Sequence, residues 1–515
     1  MFLNQVGLYY KMNLEELKNN LLEFKKEYAY EFIEYSLGKK EEMRSVEIFQ
    51  KYKHLFTKDK VELVKELYEK EQSRFKKRQL RYLYDSLMGD YIGEILSPLS
   101  DEYATFIAKS EIEIDGKKIK FKDVHGLIQN EPDQSKRKQI YDKGKEIREK
   151  SKEYAEQLFE KDEELIKSFG YDNELEALTE LHETDYDNLK EMIQNILRET
   201  KEIFDLLFDK FCKKANLDYN NVNHFDITFL LKGERFDKYF KAEEIKPKLK
   251  EYLSNLGFDF DNLKNITFHI DKEENKEPRA FCYPIIVPEE IHVLMNPEGG
   301  RSDFQILWHE VGHALHYAFT FKDLEYEFKY YGLFGTTEIH SFLFEHLFFN
   351  REFITHFFDL SKEDLDEYLS FMKFWNLLML RRYSSKLLYE LKFYKNDLRK
   401  LDENLEETSE EYNDKPEMFS SILTQSTKCK YDSVSYVTDF DRGLYSAEYL
   451  KAWMFEPQLR SYLETNFGSD WFLNKEAGEF LRMLWKDGNK YYPEEIAEQI
   501  GMPRLNESYL IKEFV

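Results

Sequence analysis

Cysteine is scarce: the 515 residues hold three, Cys212, Cys282 and Cys429. An odd count with no C-x-x-C pair excludes a disulfide framework and a thiolate metal site, and it fits a reducing cytoplasm. Glycine (20) and proline (11) together make about 6% of the chain, against about 12% in average usage. So few breakers argue against a fold of many short strands and favour long helices. No run of 18 apolar residues occurs, so no transmembrane helix is expected. Residues 1–11 lack the apolar core and cleavage site of a signal peptide and read as a tail or an upstream start. Basic charge is in deficit, with 75 Lys+Arg against 100 Asp+Glu and a formal net charge of −25. That excludes nucleic-acid binding through bulk electrostatics and disfavours an anionic membrane surface as partner. Aromatic residues are plentiful at 16%, enough buried area per residue to exclude disorder.

The chain reads as helical over most of its length. Leu14, Leu17, Leu21, Phe24 and Tyr28 recur at steps of three and four, and Lys and Glu fill the other faces. At 112–121, Ile112, Ile114, Ile119 and Phe121 alternate about Asp115-Gly116, which predicts a hairpin. Helices resume after Glu131-Pro132-Asp133 and run to about Phe169, with Gly170 as C-cap; another is expected over 187–214. The only other strand-like stretch is 265–298. From Ser302 to the C-terminus the pattern is helical again. No repeat or linker marks a boundary. The expected division is a tail over 1–11, an N-terminal helical lobe over 12–260 and a second lobe over 261–515 that carries the strand-like stretch. The lobes should interleave in one continuous fold.

Residues 309–313 read His-Glu-Val-Gly-His. Two histidines four apart on a helix share a face, about 6 Å apart along the axis, so both imidazoles can bind one metal ion. Glu310 is turned about 100° from His309, where it can take a proton from a water polarised by the metal. Chance alone would supply roughly 0.05 such patterns in this composition. Phe304, Leu307, Trp308, Val311 and Leu315 make the segment an amphipathic, buried helix, and a single cation would satisfy its three polar side chains together. A zinc hydrolase site takes three protein ligands and keeps one position open. The downstream candidates for the third are Asp323, Glu325, Glu327, Glu338 and Glu345. Glu338 is preferred, because it opens an apolar helix after Gly335-Thr336-Thr337. Glu345, on the same face two turns on, could hydrogen-bond a ligating histidine or simply form a buried ion pair.

His309-Glu-Val-Gly-His-Ala-Leu-His316, with Glu338 25 residues after His313 and Glu345 seven later, resembles the gluzincin metallopeptidases. The nearest likeness is to the thimet oligopeptidase and oligoendopeptidase F family, related to the angiotensin-converting enzyme and carboxypeptidase Taq families. A strand, a Gly-rich turn and Asp303 ahead of the first histidine also look similar. The specific likeness covers about 280–350.

The resemblance implies a mainly α, two-lobed body around a deep channel, with a small antiparallel β-sheet beside the metal helix. It implies one Zn2+ per chain on His309, His313 and Glu338, Glu310 as general base, and short peptides as substrates. Such peptidases place a histidine and tyrosines near the C-terminus for the oxyanion. This chain has no histidine after His356, and its corresponding segment is Tyr436 to Tyr449. A phenol can donate to an oxyanion without changing charge. Tyr445 is the first candidate, with Tyr449, Tyr436 and Arg442 behind it. His292, on a strand expected at the sheet edge, could touch substrate; His316 and His340 read as packing or supporting residues. Two rival readings are a metallocarboxypeptidase or dipeptidyl-carboxypeptidase, which needs a cation for the substrate's terminal carboxylate, and a non-enzymatic helical binding protein that keeps the metal. The sequence carries no sign of oligomeric state.

Overall fold

The computed structural model describes residues 2–515, with side chains from Leu14 onward. The expected tail over 1–11 lies outside the residues described to that level. The mainly helical expectation holds: the described residues include 22 α-helices and only seven short strands. None of these helices is long and apolar enough to cross a membrane. The chain divides into two compact units, each discontinuous in sequence. The first comprises Met1–Tyr91, Asp237–Asp359 and Leu459–Ile500; the second comprises Ile92–Phe236, Leu360–Gln458 and Gly501–Val515.

The first unit holds the only three-stranded sheet among the described residues. Helix α1 (Phe2–Ser36) precedes strands β1 (Ile266–His269), β2 (Phe281–Ile286) and β3 (Glu290–Leu294). Their spatial order is β1-β3-β2. The β2–β3 pair is antiparallel, as expected, but β1–β3 is parallel. The sheet is therefore mixed, because the chain crosses from β1 to the opposite edge before β3 fills the middle. Alternation sends Ile291 and Val293 to one face and His292 and Leu294 to the other. Leu294 and Ile285 pack with Ala29 and Ile33 of α1. Helix α2 (Arg301–Phe319) also packs on the sheet, against β2 and β3.

Helix α2 starts after Gly299-Gly300, both at positive φ (92° and 98°), where a side chain would be strained. Asp303 accepts from the backbone N–H of Glu298 (2.7 Å) and of Gly299 (2.8 Å), which fixes the turn into the helix. Phe304, Leu307, Trp308, Val311 and Leu315 are fully buried, matching the predicted stripe. Helix α3 (Phe334–Glu345) crosses α2 and is buried from Gly335 to Phe344. It begins one turn earlier than expected, so Gly335-Thr336-Thr337 form its first turn rather than its cap. The two helices touch at Gly312: a Cβ there would lie 2.4 Å from the His340 carbonyl oxygen and 2.7 Å from Ser341 Cα.

In the second unit the hairpin Glu111–Ile114/Lys117–Lys120 has the predicted register, Ile112 opposite Ile119. Asp115 (φ 50°) and Gly116 (φ 74°) make its turn. The helix expected over 187–214 is broken at Thr200 into Tyr186–Glu199 and Lys201–Lys214. Thr200 is fully buried, and its hydroxyl and its backbone N–H both donate to the Ile196 carbonyl (2.7 and 3.1 Å). A second hairpin, Arg399–Leu401 with Glu407–Glu411, interrupts a region that reads as helical. Its strands carry almost no apolar alternation, since Leu401 is their one buried residue.

Gly312→Ala is expected to destabilise the chain by about 1–3 kcal/mol, because backbone must move to admit the methyl group. A lower urea midpoint at an unchanged slope would confirm this; an unshifted midpoint would refute the close contact.

Candidate metal centre

His309 and His313 project from one face of α2, their ring centroids 4.9 Å apart and nearly perpendicular. Glu338 of α3 brings Oε2 to 3.4 Å from His309 Nε2 and 3.5 Å from His313 Nε2. One ligand atom from each of the three residues lies within 4.8 Å of the others. A tetrahedral ion with bonds of about 2.0–2.2 Å needs donors about 3.4 Å apart, so these spacings fit. The donor set, two imidazoles and a carboxylate, suits zinc among other divalent ions. Among the described residues this is the one group of histidine, cysteine or carboxylate side chains arranged to hold an ion.

Surrounding bonds orient two of the three, His309 and Glu338. Glu345 Oε2 accepts from His309 Nδ1 (2.8 Å), which leaves the Nε2 lone pair for the cluster. Gln305 Nε2 donates to the other Glu345 oxygen (2.8 Å), and Arg301 in turn bonds Gln305. Ser341 Oγ donates to Glu338 Oε2 (2.8 Å). Three carboxylates, Glu310, Glu338 and Glu345, thus surround two imidazoles, an excess of negative charge that a cation would neutralise. Burial pushes the His309 imidazole pKa down, but the Glu345 hydrogen bond and the charges of Glu345, Glu338 and Glu310 hold it at about 9. Burial likewise pushes Glu338 up, but His313, His309 and Ser341 bring it down to about 2.

Glu310 stands beside the cluster. Its Oε2 accepts from the backbone N–H of Cys282 on β2 (2.7 Å). Cys282 acts through its main chain, so no side-chain signal could have singled it out. Gln305 was also overlooked in the sequence. Its signal is a polar residue on the buried stripe, one turn before His309.

His292 faces away from α2. It shares the α1 side of the sheet with Leu294 and is 3.0 Å from His269 (Nδ1 to Nε2). Its strand is central rather than at the edge, since β1 and β2 flank it. His316 and His340 are buried against each other, ring centroids 4.6 Å apart, and burial lowers both pKa values, that of His316 to about 4.

The candidate tyrosines lie in the second unit, around one pinned loop. Gly443 (φ 78°) and Leu444 (φ 51°) take left-handed backbone just before Tyr445, which opens helix Tyr445–Phe467. Buried Glu390 accepts from Asp441 N–H (2.7 Å) and Ser446 Oγ (2.6 Å), and Glu174 accepts from Gly443 N–H (3.0 Å). Arg442 is paired with buried Asp162. Tyr436 donates to Glu156 (2.6 Å), and Tyr449 stacks on Tyr383.

No family model and no curated protein matches the chain. Solved structures do match. A PZ peptidase A with inhibitor 2 superposes with a TM-score of 0.61 at 16% identity, covering 91% of this chain and 86% of that one. A protein assigned as oligoendopeptidase F, from Bacillus anthracis str. Ames, gives 0.58 at 18%, covering 90% and 84%. One assigned as a peptidase, from Chlamydophila abortus, gives 0.63 at 15%, covering 97% and 88%. The chain therefore shares the mainly α fold of these solved structures.

If His309 carries a proton to about pH 9, a cation docking on the imidazoles must displace it. Zinc titrated into chelator-treated protein at pH 7 should release close to one proton, and affinity should rise with pH up to about 9. Calorimetry in buffers of different ionisation enthalpy measures this; no proton release would contradict the assignment. Glu345→Ala should weaken metal binding by roughly 10–100-fold.

Proposed function

We propose that this chain is a zinc-dependent oligopeptidase that hydrolyses peptide bonds in short peptides. The observation that carries the reading is Glu310. A purely structural metal site has no use for a carboxylate held beside the ligands, yet Glu310 is aimed there by a main-chain bond from β2. The shared fold with peptidases supports it.

His309, His313 and Glu338 would hold the ion. When bound, zinc would supply Lewis acidity toward a peptide carbonyl and an adjacent water. Glu310 takes the proton of the attacking water and delivers it to the leaving amine. Glu345 and Gln305 keep His309 in the tautomer that presents Nε2 to the cluster. Tyr445 donates a hydrogen bond to the developing oxyanion, a role for which no histidine follows His356. Strand β2 is an edge strand, so it, rather than the strand of His292, offers an unpaired side to an extended peptide.

The carboxypeptidase alternative asks for a cation at the substrate terminus, and Arg442 is already paired with Asp162. That pairing favours the endopeptidase as far as Arg442 is concerned and leaves a lysine as the alternative's cation; a non-enzymatic protein leaves Glu310 without a purpose.

Glu310→Gln should keep one zinc per chain and lose peptide cleavage by about 10²–10⁴-fold. Unchanged turnover would remove the base. Tyr445→Phe should lower kcat by about 10²–10³-fold with little change in KM. Amidating the C-terminus of a test peptide should leave cleavage intact; abolished cleavage would favour the carboxypeptidase.

A further inference from the structure

Two features that the sequence did not announce, the helix break at Thr200 and the hairpin at 399–411, line one cavity in the second unit. Its volume is about 450 Å³. Its wall carries Arg198, Lys201, Arg381 and Lys428 against the acids Asp402 and Glu403. In a chain of net charge −25, this concave surface has two more cations than anions.

Arg381 is the central group. It is 4% exposed, and no carboxylate among the described residues is paired with it. Its Nε donates to the Ser426 carbonyl (2.6 Å), and Nη1 donates to the Leu197 carbonyl (2.8 Å) and Thr200 Oγ1 (3.1 Å). Phe204 lies against the guanidinium, 4.7 Å from its ring centre. Nη2 bonds no described residue. Burial lowers the Arg381 pKa to about 10, against a weak opposing pull from Asp205. Asp205 itself is held by Lys428 (3.1 Å) and Lys201 (3.5 Å). Arg198 has no acidic partner and bonds only Asn195 Oδ1 (3.2 Å). Ser426, whose carbonyl accepts from Arg381, is also on the cavity wall, with its hydroxyl buried.

A buried guanidinium without a counter-charge is costly, and an unpaired buried hydroxyl adds to the cost. An anion in the cavity would relieve the first of these. We propose that this cavity binds a small organic molecule through a phosphate group. A carboxylate is best held by the two-pronged edge of an arginine. Arg381 does not offer that edge, because its Nε and Nη1 are spent on carbonyl and hydroxyl oxygens. What remains is one terminal nitrogen of Arg381 and the side chains of Arg198, Lys201 and Lys428, cations arriving from separate elements, an arrangement that suits a tetrahedral group with acceptors on several sides. The volume exceeds that of a free ion and falls within the range of small-molecule pockets.

The test is calorimetric titration of the full chain with inorganic phosphate, compared with acetate and chloride at matched ionic strength. The same titrations are made on Arg198→Ala/Lys201→Ala, whose two side chains are exposed and leave the bonds of Arg381 in place. Saturable binding of phosphate in preference to acetate and chloride, weakened by roughly tenfold or more in the double variant, is the expected result. Equal responses to the three anions, or a preference for acetate, would overturn the phosphate assignment. Undiminished phosphate affinity in the double variant would place the anion elsewhere, the metal cluster included, and would also overturn it.

Discussion

At Gly312 the backbones of α2 and α3 meet with no side chain between them, and the placement of Glu338 depends on that contact. A carboxylate on α3 can reach two imidazoles on α2 only if the helices approach closely. Any larger residue at 312 would hold them apart by the width of its side chain. The surrounding aromatic packing, with Trp308 between Phe304, Phe348 and Tyr252, presses the helices together around this point. The glycine in His309-Glu-Val-Gly-His is thus as much a part of the site as the histidines, though it touches no ligand.

The same contact creates an electrostatic problem. It brings Glu338 and Glu345 to a helix that already carries Glu310, so three carboxylates share a largely apolar region with two imidazoles. Each is answered by a specific bond: Ser341 to Glu338, Gln305 and His309 to Glu345, the Cys282 N–H to Glu310. These bonds orient the groups but leave negative charge in excess, which is why the cluster suits a cation better than a hydrogen-bonded core. The raised His309 pKa expresses that excess of carboxylates, and the lowered Glu338 pKa expresses the imidazoles and the Ser341 hydroxyl beside it.

Much of this was legible in the sequence where the signal was periodic. The apolar stripe 304–315, the histidine pair and the seven-residue spacing of Glu338 and Glu345 all follow from helical repeat, and the helices are where the repeat puts them. The hairpin at 111–120 was equally plain, because Asp115-Gly116 sits between alternating isoleucines. Legibility failed where main-chain groups or distant partners decide. The hairpin at 399–411 has nearly no alternation to read, and the break at Thr200 falls where the apolar repeat continues on both sides. His292 looked like an edge residue because strand order is not encoded in a strand's own residues.

Sequence alone determined the composition of the site: two imidazoles one helical turn apart, a carboxylate between them, and a fold poor enough in glycine and proline to be built of helices. Those are local properties, set by backbone periodicity and side-chain chemistry. Tertiary structure decided which of five downstream carboxylates completes the cluster, which strand lies at the sheet edge, and that Arg381 is buried without a counter-charge. Each of these depends on contacts between segments far apart in the chain, and no local pattern records which segments will meet.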